Sequence, residues 1–225
     1  MELWTPAQIT NPAFDGFLEP LPSHASMTTR GGQLTRARLG RPAWWSAAEM
    51  FGENWKPPRG GDVYLLVRLA CSLQPGAGQE VQEASLTAYL HCRGTDRQPV
   101  AFDLFPREVK EEAQTDLTLS LGPELKFGVV EGSLASAGAT IHVPRVEPVI
   151  VTSGLGEANP TWIFRRHRKH PLEGSRLVYA VVARPADARE LRLSLELAAT
   201  VADRYGPVRV GVPEPARANL SWVIS

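Results

Sequence analysis

Residues Leu191 to Val201 read LRLSLELAATV. Leu191, Leu193, Leu195, Leu197, Ala199 and Val201 fall on one side of an extended chain, and Arg192, Ser194, Glu196, Ala198 and Thr200 on the other. Side chains in a strand alternate with period two, so this segment describes a sheet with one buried and one wet face. Other segments repeat the pattern. Val63, Leu65, Val67 and Leu69 alternate with Tyr64, Leu66, Arg68 and Ala70. Leu86, Ala88 and Leu90 alternate with Thr87, Tyr89 and His91. Shorter candidates are Pro99–Phe105, Leu117–Leu121, Gly128–Gly132, Ala139–Val143, Val146–Thr152, Trp162–Arg166, Leu177–Ala183, Val208–Val212 and Asn219–Ile224. Arg107–Ala113 reads as one or two polar helical turns. Short strands at roughly ten-residue spacing, without βαβ alternation, predict an all-β, mainly antiparallel β-sandwich.

The expected pairing follows chain order. Gln74–Gly78 interrupts an alternating run and predicts a long-looped hairpin between residues 63–70 and 86–90. The turn Pro185–Arg189 predicts pairing of Leu177–Ala183 with Leu191–Val201, and the loop after Arg166 pairs Trp162–Arg166 with Leu177–Ala183. Val63–Val67 (VYLLV) and Val178–Val182 (VYAVV) echo one another, as two halves of a duplication or simply as two buried strands.

Residues 1–59 differ from the remainder, 60–225. They hold seven of the nineteen prolines and four of the six tryptophans, Trp4, Trp44, Trp45 and Trp55. Proline disfavours ladders and helices, while tryptophan is scarce in disordered chain. The segment therefore reads as an irregular N-terminal arm lying on the sandwich, anchored by its tryptophans. Ser46 and Glu49 have capping-box spacing and predict a helix ending near Phe51. At most one or two short helices are expected overall.

Function is far less legible. Twenty-four basic and twenty-four acidic residues give a net charge of zero, unlike a dedicated nucleic-acid binder. Cys71 and Cys92 are placed too far apart to bridge, and two free thiols point to a reducing compartment. The first residues show no basic-then-apolar leader, and no apolar run suits a membrane helix. These readings make the expected location cytoplasmic, without membrane contact. The Asn219–Ser221 sequon reads as coincidence.

The least ordinary motif is Arg165-Arg166-His167-Arg168-Lys169-His170. It concentrates positive charge between a strand and Pro171, which is the chemistry of a phosphate or acidic-partner site. Its bland alternative is a solvated loop. Arg30, Arg36, Arg38 and Arg41 form a second basic stretch. Asp103, Glu108, Glu111, Glu112 and Asp116 form an acidic complement, a balance suited to self-complementary assembly.

No catalytic, metal or cofactor site is predicted. His167 and His170 have H-x-x-H spacing among four cations that repel a metal, and zinc-type motifs are missing. Ser23–His24 and His91–Cys92 are adjacent pairs, which diverge on a strand. Gly154–Gly156 lacks the rest of a phosphate loop and reads as a turn. The leading expectation is a non-catalytic interaction or assembly module, a subunit of a homo- or hetero-oligomer touching its protein partner through Trp44, Trp45 and Trp55. One rival is a nucleic-acid or phosphate binder using residues 165–170. The other is an enzyme whose site gathers residues distant in sequence.

Overall fold

A computed structural model of the chain describes residues 11–22, 34–51, 55–109, 117–118, 128–129, 149–167 and 171–224. In chain order the elements are β1 (Pro12–Phe17), β2 (Glu19–Pro20), β3 (Arg36–Gly40), β4 (Ala43–Ser46), α1 (Ala47–Phe51), β5 (Asp62–Gln74), β6 (Glu80–Arg93), β7 (Val100–Phe105), β8 (Glu108–Val109), β9 (Leu117–Thr118), β10 (Gly128–Val129), β11 (Val149–Ser153), β12 (Thr161–Arg165), β13 (Gly174–Pro185), β14 (Glu190–Asp203), β15 (Gly206–Gly211), α2 (Glu214–Arg217) and β16 (Ser221–Val223). The architecture is an antiparallel β-sandwich. Sheet A runs β1-β3-β5-β13-β7, with β4 also on β5. Sheet B runs β2-β15-β14-β6-β12-β11-β8, with β16 also on β14. β9 and β10 pair separately.

The alternating segments form strands with the expected faces. Leu191, Leu193, Leu195, Leu197, Ala199 and Val201 all enter the core between the sheets, where they meet Leu65, Val67 and Leu69 from β5 and Leu86, Ala88 and Leu90 from β6. Each such leucine taken from water contributes about 1.5–3 kcal/mol before the entropy of ordering the chain is deducted. Trp162 and Phe164 also point inward and are fully buried.

The partners differ from the expected hairpins. β5 pairs with β13, β3 and β4, whereas β6 pairs with β14 and β12. The 75–79 loop therefore carries the chain from one sheet to the other. β13 and β14 are likewise in opposite sheets, so the turn after Pro185 is a second crossing. β12 pairs with β6 and β11, not with β13. The physical reason is that two strands facing each other across a sandwich alternate just as two strands of a hairpin do. Period two identifies each buried face but leaves the hydrogen-bond partner open. The two echo segments become neighbours: β5 lies antiparallel to β13, and their continuations β6 and β14 pair in the other sheet.

The described part of residues 1–59 contributes strands to both sheets. β1 joins β3 in sheet A, β2 joins β15 in sheet B, and Leu18 between them is 1% exposed. Its amide donates to the Thr35 carbonyl at 2.9 Å, pinning the crossing. The helix expected after Ser46 is α1. The polar turns expected from Arg107 begin instead as β8, which pairs with β11. Residues 110–113, like the strand expected at 139–143, lie outside the described residues.

Candidate functional site

Sheet A is apolar on both faces. Its outer face carries a second cluster: Tyr64 and Leu66 of β5, Tyr179, Val181 and Ala183 of β13, and Phe105 of β7. These are the residues alternate to the inward set, so the strands are hydrophobic on both sides. The chain covers this face itself. Trp45, Met50 and Trp55 pack on it from β4, α1 and the stretch before β5. Trp55 meets Tyr64 edge to face at 5.9 Å, and Tyr64 meets Phe102 in the same way at 5.2 Å. The Arg68 guanidinium lies 5.5 Å from the Trp45 ring centre, a cation–π contact.

The three tryptophans expected at a partner surface thus divide. Trp45 and Trp55 anchor their own segment. Trp44, its neighbour on β4, points to the opposite side and is 38% exposed. Phe17, Tyr89, Leu155, Tyr205 and Val223 are exposed as well. Alternation places Tyr89 opposite the core face of its strand, and Phe17 belongs to the aromatic N-terminal segment; Leu155 and Tyr205 stand in turns that periodicity does not reach. Trp4 lies outside the described residues.

The basic motif is partly answered by acids. Arg165 Nε lies 3.1 Å from Glu83, and Arg166 Nη2 lies 2.6 Å from Glu80; both acids are on β6, beside β12. All four side chains are 40–55% exposed, so these pairs hold little stability but cancel local charge. His167 is half-buried at the end of this segment. Arg168, Lys169 and His170 lie outside the described residues, as does Arg30.

Arg36 and Arg38 share one acid. Their Nε atoms reach Asp15 on β1 at 2.7 and 3.0 Å. The Arg36 side-chain bond leads in holding the Asp15 carboxyl below its ordinary value. Asp103 corrects the acidic patch: it is fully buried, because the β13–β7 register shifts beside it. Its Oδ1 accepts from the Leu104 amide at 2.7 Å and from Arg107 Nε and Nη2 at 2.9 and 2.7 Å.

Cys71 and Cys92 are free and buried in opposite sheets. Burial pushes the Cys71 thiol up to about 12 and raises Cys92 too, leaving neither as a ready thiolate. Among the described residues no three of His, Cys, Asp and Glu gather as metal ligands, and no helix is long and apolar enough to cross a membrane.

No protein-family model matches the chain, and no curated protein does. Among solved structures, the membrane-inserted form of the Clostridium perfringens NetB toxin is 8% identical with a TM-score of 0.35, over 85% of this chain and 92% of that one. Clostridium perfringens delta-toxin is 10% identical with a TM-score of 0.34, over 88% and 96%. A structure of Gaeumannomyces graminis manganese lipoxygenase with part of Komagataella pastoris zonadhesin is 11% identical with a TM-score of 0.29, over 77% and 45%. Likeness at this level carries no function across.

Proposed function

We propose that this chain is a non-catalytic protein-interaction module, a subunit of a homo- or hetero-oligomeric assembly. The carrying observation is the exposure of Trp44. Its neighbours Trp45 and Trp55 are absorbed by the outer cluster, while Trp44 stands 38% exposed on a short strand held at both ends. Tryptophan dominates binding hot spots, where its large ring leaves water at small entropic cost. The ion pairs of Arg165 and Arg166 weigh against the nucleic-acid reading, and the raised Cys71 thiol weighs against a cysteine enzyme.

Sedimentation of the purified chain over a roughly hundredfold concentration range tests the proposal. The expected result is reversible mass above the 24.6 kDa monomer, with association weakened about tenfold by Trp44→Ser. If the chain sediments as a monomer throughout, the same series is repeated with native-host extract fractions. A complex that Trp44→Ser weakens supports the hetero-oligomer. A chain that stays monomeric in both, or assembles equally well without Trp44, refutes the reading.

A further inference from the structure

At one corner of sheet A, three side chains line up across β1, β3 and β5. Phe17 is the register partner of Arg36, and Arg36 of Gln74, so all three project from the same face. The chain turns immediately after Gln74 to cross to sheet B. Leu34, Pro75 and Gly76 close the corner, leaving a groove of about 310 Å³ lined by these six residues. Phe17 is 56% exposed at its mouth, although most large apolar side chains nearby are absorbed into a core.

Charge sets what belongs there. One rung away on the same face, Asp15 pairs in register with Arg38, and Arg38 with Ser72. Arg36 and Arg38 converge on the single Asp15 carboxylate. Residues 12–17, 34–40 and 72–78 contain no other acid, so two guanidiniums face one carboxylate. The corner therefore presents an apolar slot beside an excess of guanidinium, with donors that one carboxylate does not use up.

The geometry points to this groove as the docking site for an acidic-apolar peptide segment of a partner protein. One large apolar side chain of that segment seats against Phe17, Leu34 and Pro75, and an adjacent carboxylate is taken by Arg36. Residues two apart in an extended peptide point the same way and supply both groups within the groove's span. A polyanionic backbone fits less well, because the groove itself offers one guanidinium among apolar Phe17, Leu34 and Pro75 rather than a row of cations. The inference rests on the interaction role proposed above and names a surface distinct from Trp44.

A phage-displayed library of short random peptides, selected on the immobilised chain, tests it. Enriched peptides are synthesised with a fluorescent label, and their affinities are read by polarisation. The expected peptides carry a large apolar residue two positions from Asp or Glu. Phe17→Ser and Gln74→Glu should each weaken them about tenfold. Gln74→Glu places an acid beside Arg36, where it competes for the guanidinium the peptide carboxylate needs, and its exposed position keeps it folded should Phe17→Ser fail to fold. Trp44→Ser should leave peptide affinity unchanged. Failure here with Trp44-dependent assembly intact removes this corner alone, whereas peptide binding by a chain that never assembles, or assembles equally well without Trp44, removes the Trp44 role alone. The assignment is overturned by no enrichment, by basic or acid-free peptides, or by peptides indifferent to both groove variants. It is equally overturned if a labelled oligonucleotide binds and Gln74→Glu abolishes that binding.

Discussion

The hydroxyl of Tyr179 is buried in the outer cluster of sheet A and has no hydrogen-bond partner, on a side chain 1% exposed. Burial raises its pKa, since the charged form cannot be solvated there. An unmet hydroxyl in such a site costs about 1–3 kcal/mol. Tyr179→Phe removes that cost and leaves a void of one oxygen, worth about 0.5 kcal/mol against. The net expectation is a gain of about 1 kcal/mol, against the usual sign for truncating a buried tyrosine. Tyr64 supplies the control. It is equally buried in the same cluster, but its oxygen accepts from the Arg59 amide at 3.2 Å. Tyr64→Phe should therefore cost about 0.5–1.5 kcal/mol. Urea unfolding followed by tryptophan fluorescence reads both. At a slope of about 2.5 kcal/mol/M, the Tyr179→Phe midpoint rises by about 0.4 M and the Tyr64→Phe midpoint falls by a similar amount. A lower midpoint for Tyr179→Phe refutes the reasoning, because the hydroxyl must then be making a bond.

Cys71 sets an alkaline limit. With its thiol raised from 9.0 to about 12, the folded chain keeps a proton that the unfolded chain releases, so stability is complete below pH 9 and falls as pH climbs towards 12. Urea midpoints should drop between pH 9 and 10, before the tyrosines add their share; Cys92, raised as well, contributes to that drop, and Cys71→Ala should lessen it, so an unchanged slope rejects the Cys71 share. Gly154 and Gly156 both have positive φ, but a Cβ on Gly154 would stand 2.9 Å from the Asn159 oxygen and the Pro160 Cα, while one on Gly156 meets open space. Calorimetry should show Gly156→Ala costing about 1–2 kcal/mol and Gly154→Ala clearly more, and equal losses count against the geometry. For the Asp103–Arg107 pair, Asp103→Asn should cost about 1.5–3 kcal/mol, and Arg107→Gln, which takes the opposite charge from a buried carboxylate, about 3–5 kcal/mol. Chemical unfolding that reverses this order contradicts the assignment of Asp103 as the buried partner.

Much of this fold is local information. Leu191–Val201 declares itself a strand, names its buried face and keeps it in the structure, because alternation depends only on the chain's own pleat. Ser46 and Glu49 mark α1 for a similarly local reason. Trp162 and Phe164, read as core from their shared face, are core. The candidate site is legible only in pieces. The basic run Arg165–His170 is visible in sequence, but Glu80 and Glu83, which answer Arg165 and Arg166, lie more than eighty residues earlier.

Tertiary structure alone decided the rest. A hairpin and a pair of strands facing across a sandwich impose the same period-two pattern, so only packing of the whole chain put β13 and β14 in opposite sheets. The fates of Trp44 and Trp45 divided because β4 lands beside β5, with one ring over the outer cluster and the other clear of it. The groove beside Phe17 exists because three strands distant in sequence meet in register where the chain turns from one sheet to the other. Backbone pleating is a property of a few neighbouring residues, whereas strand partners, ion pairs and grooves are settled by which buried faces close against one another.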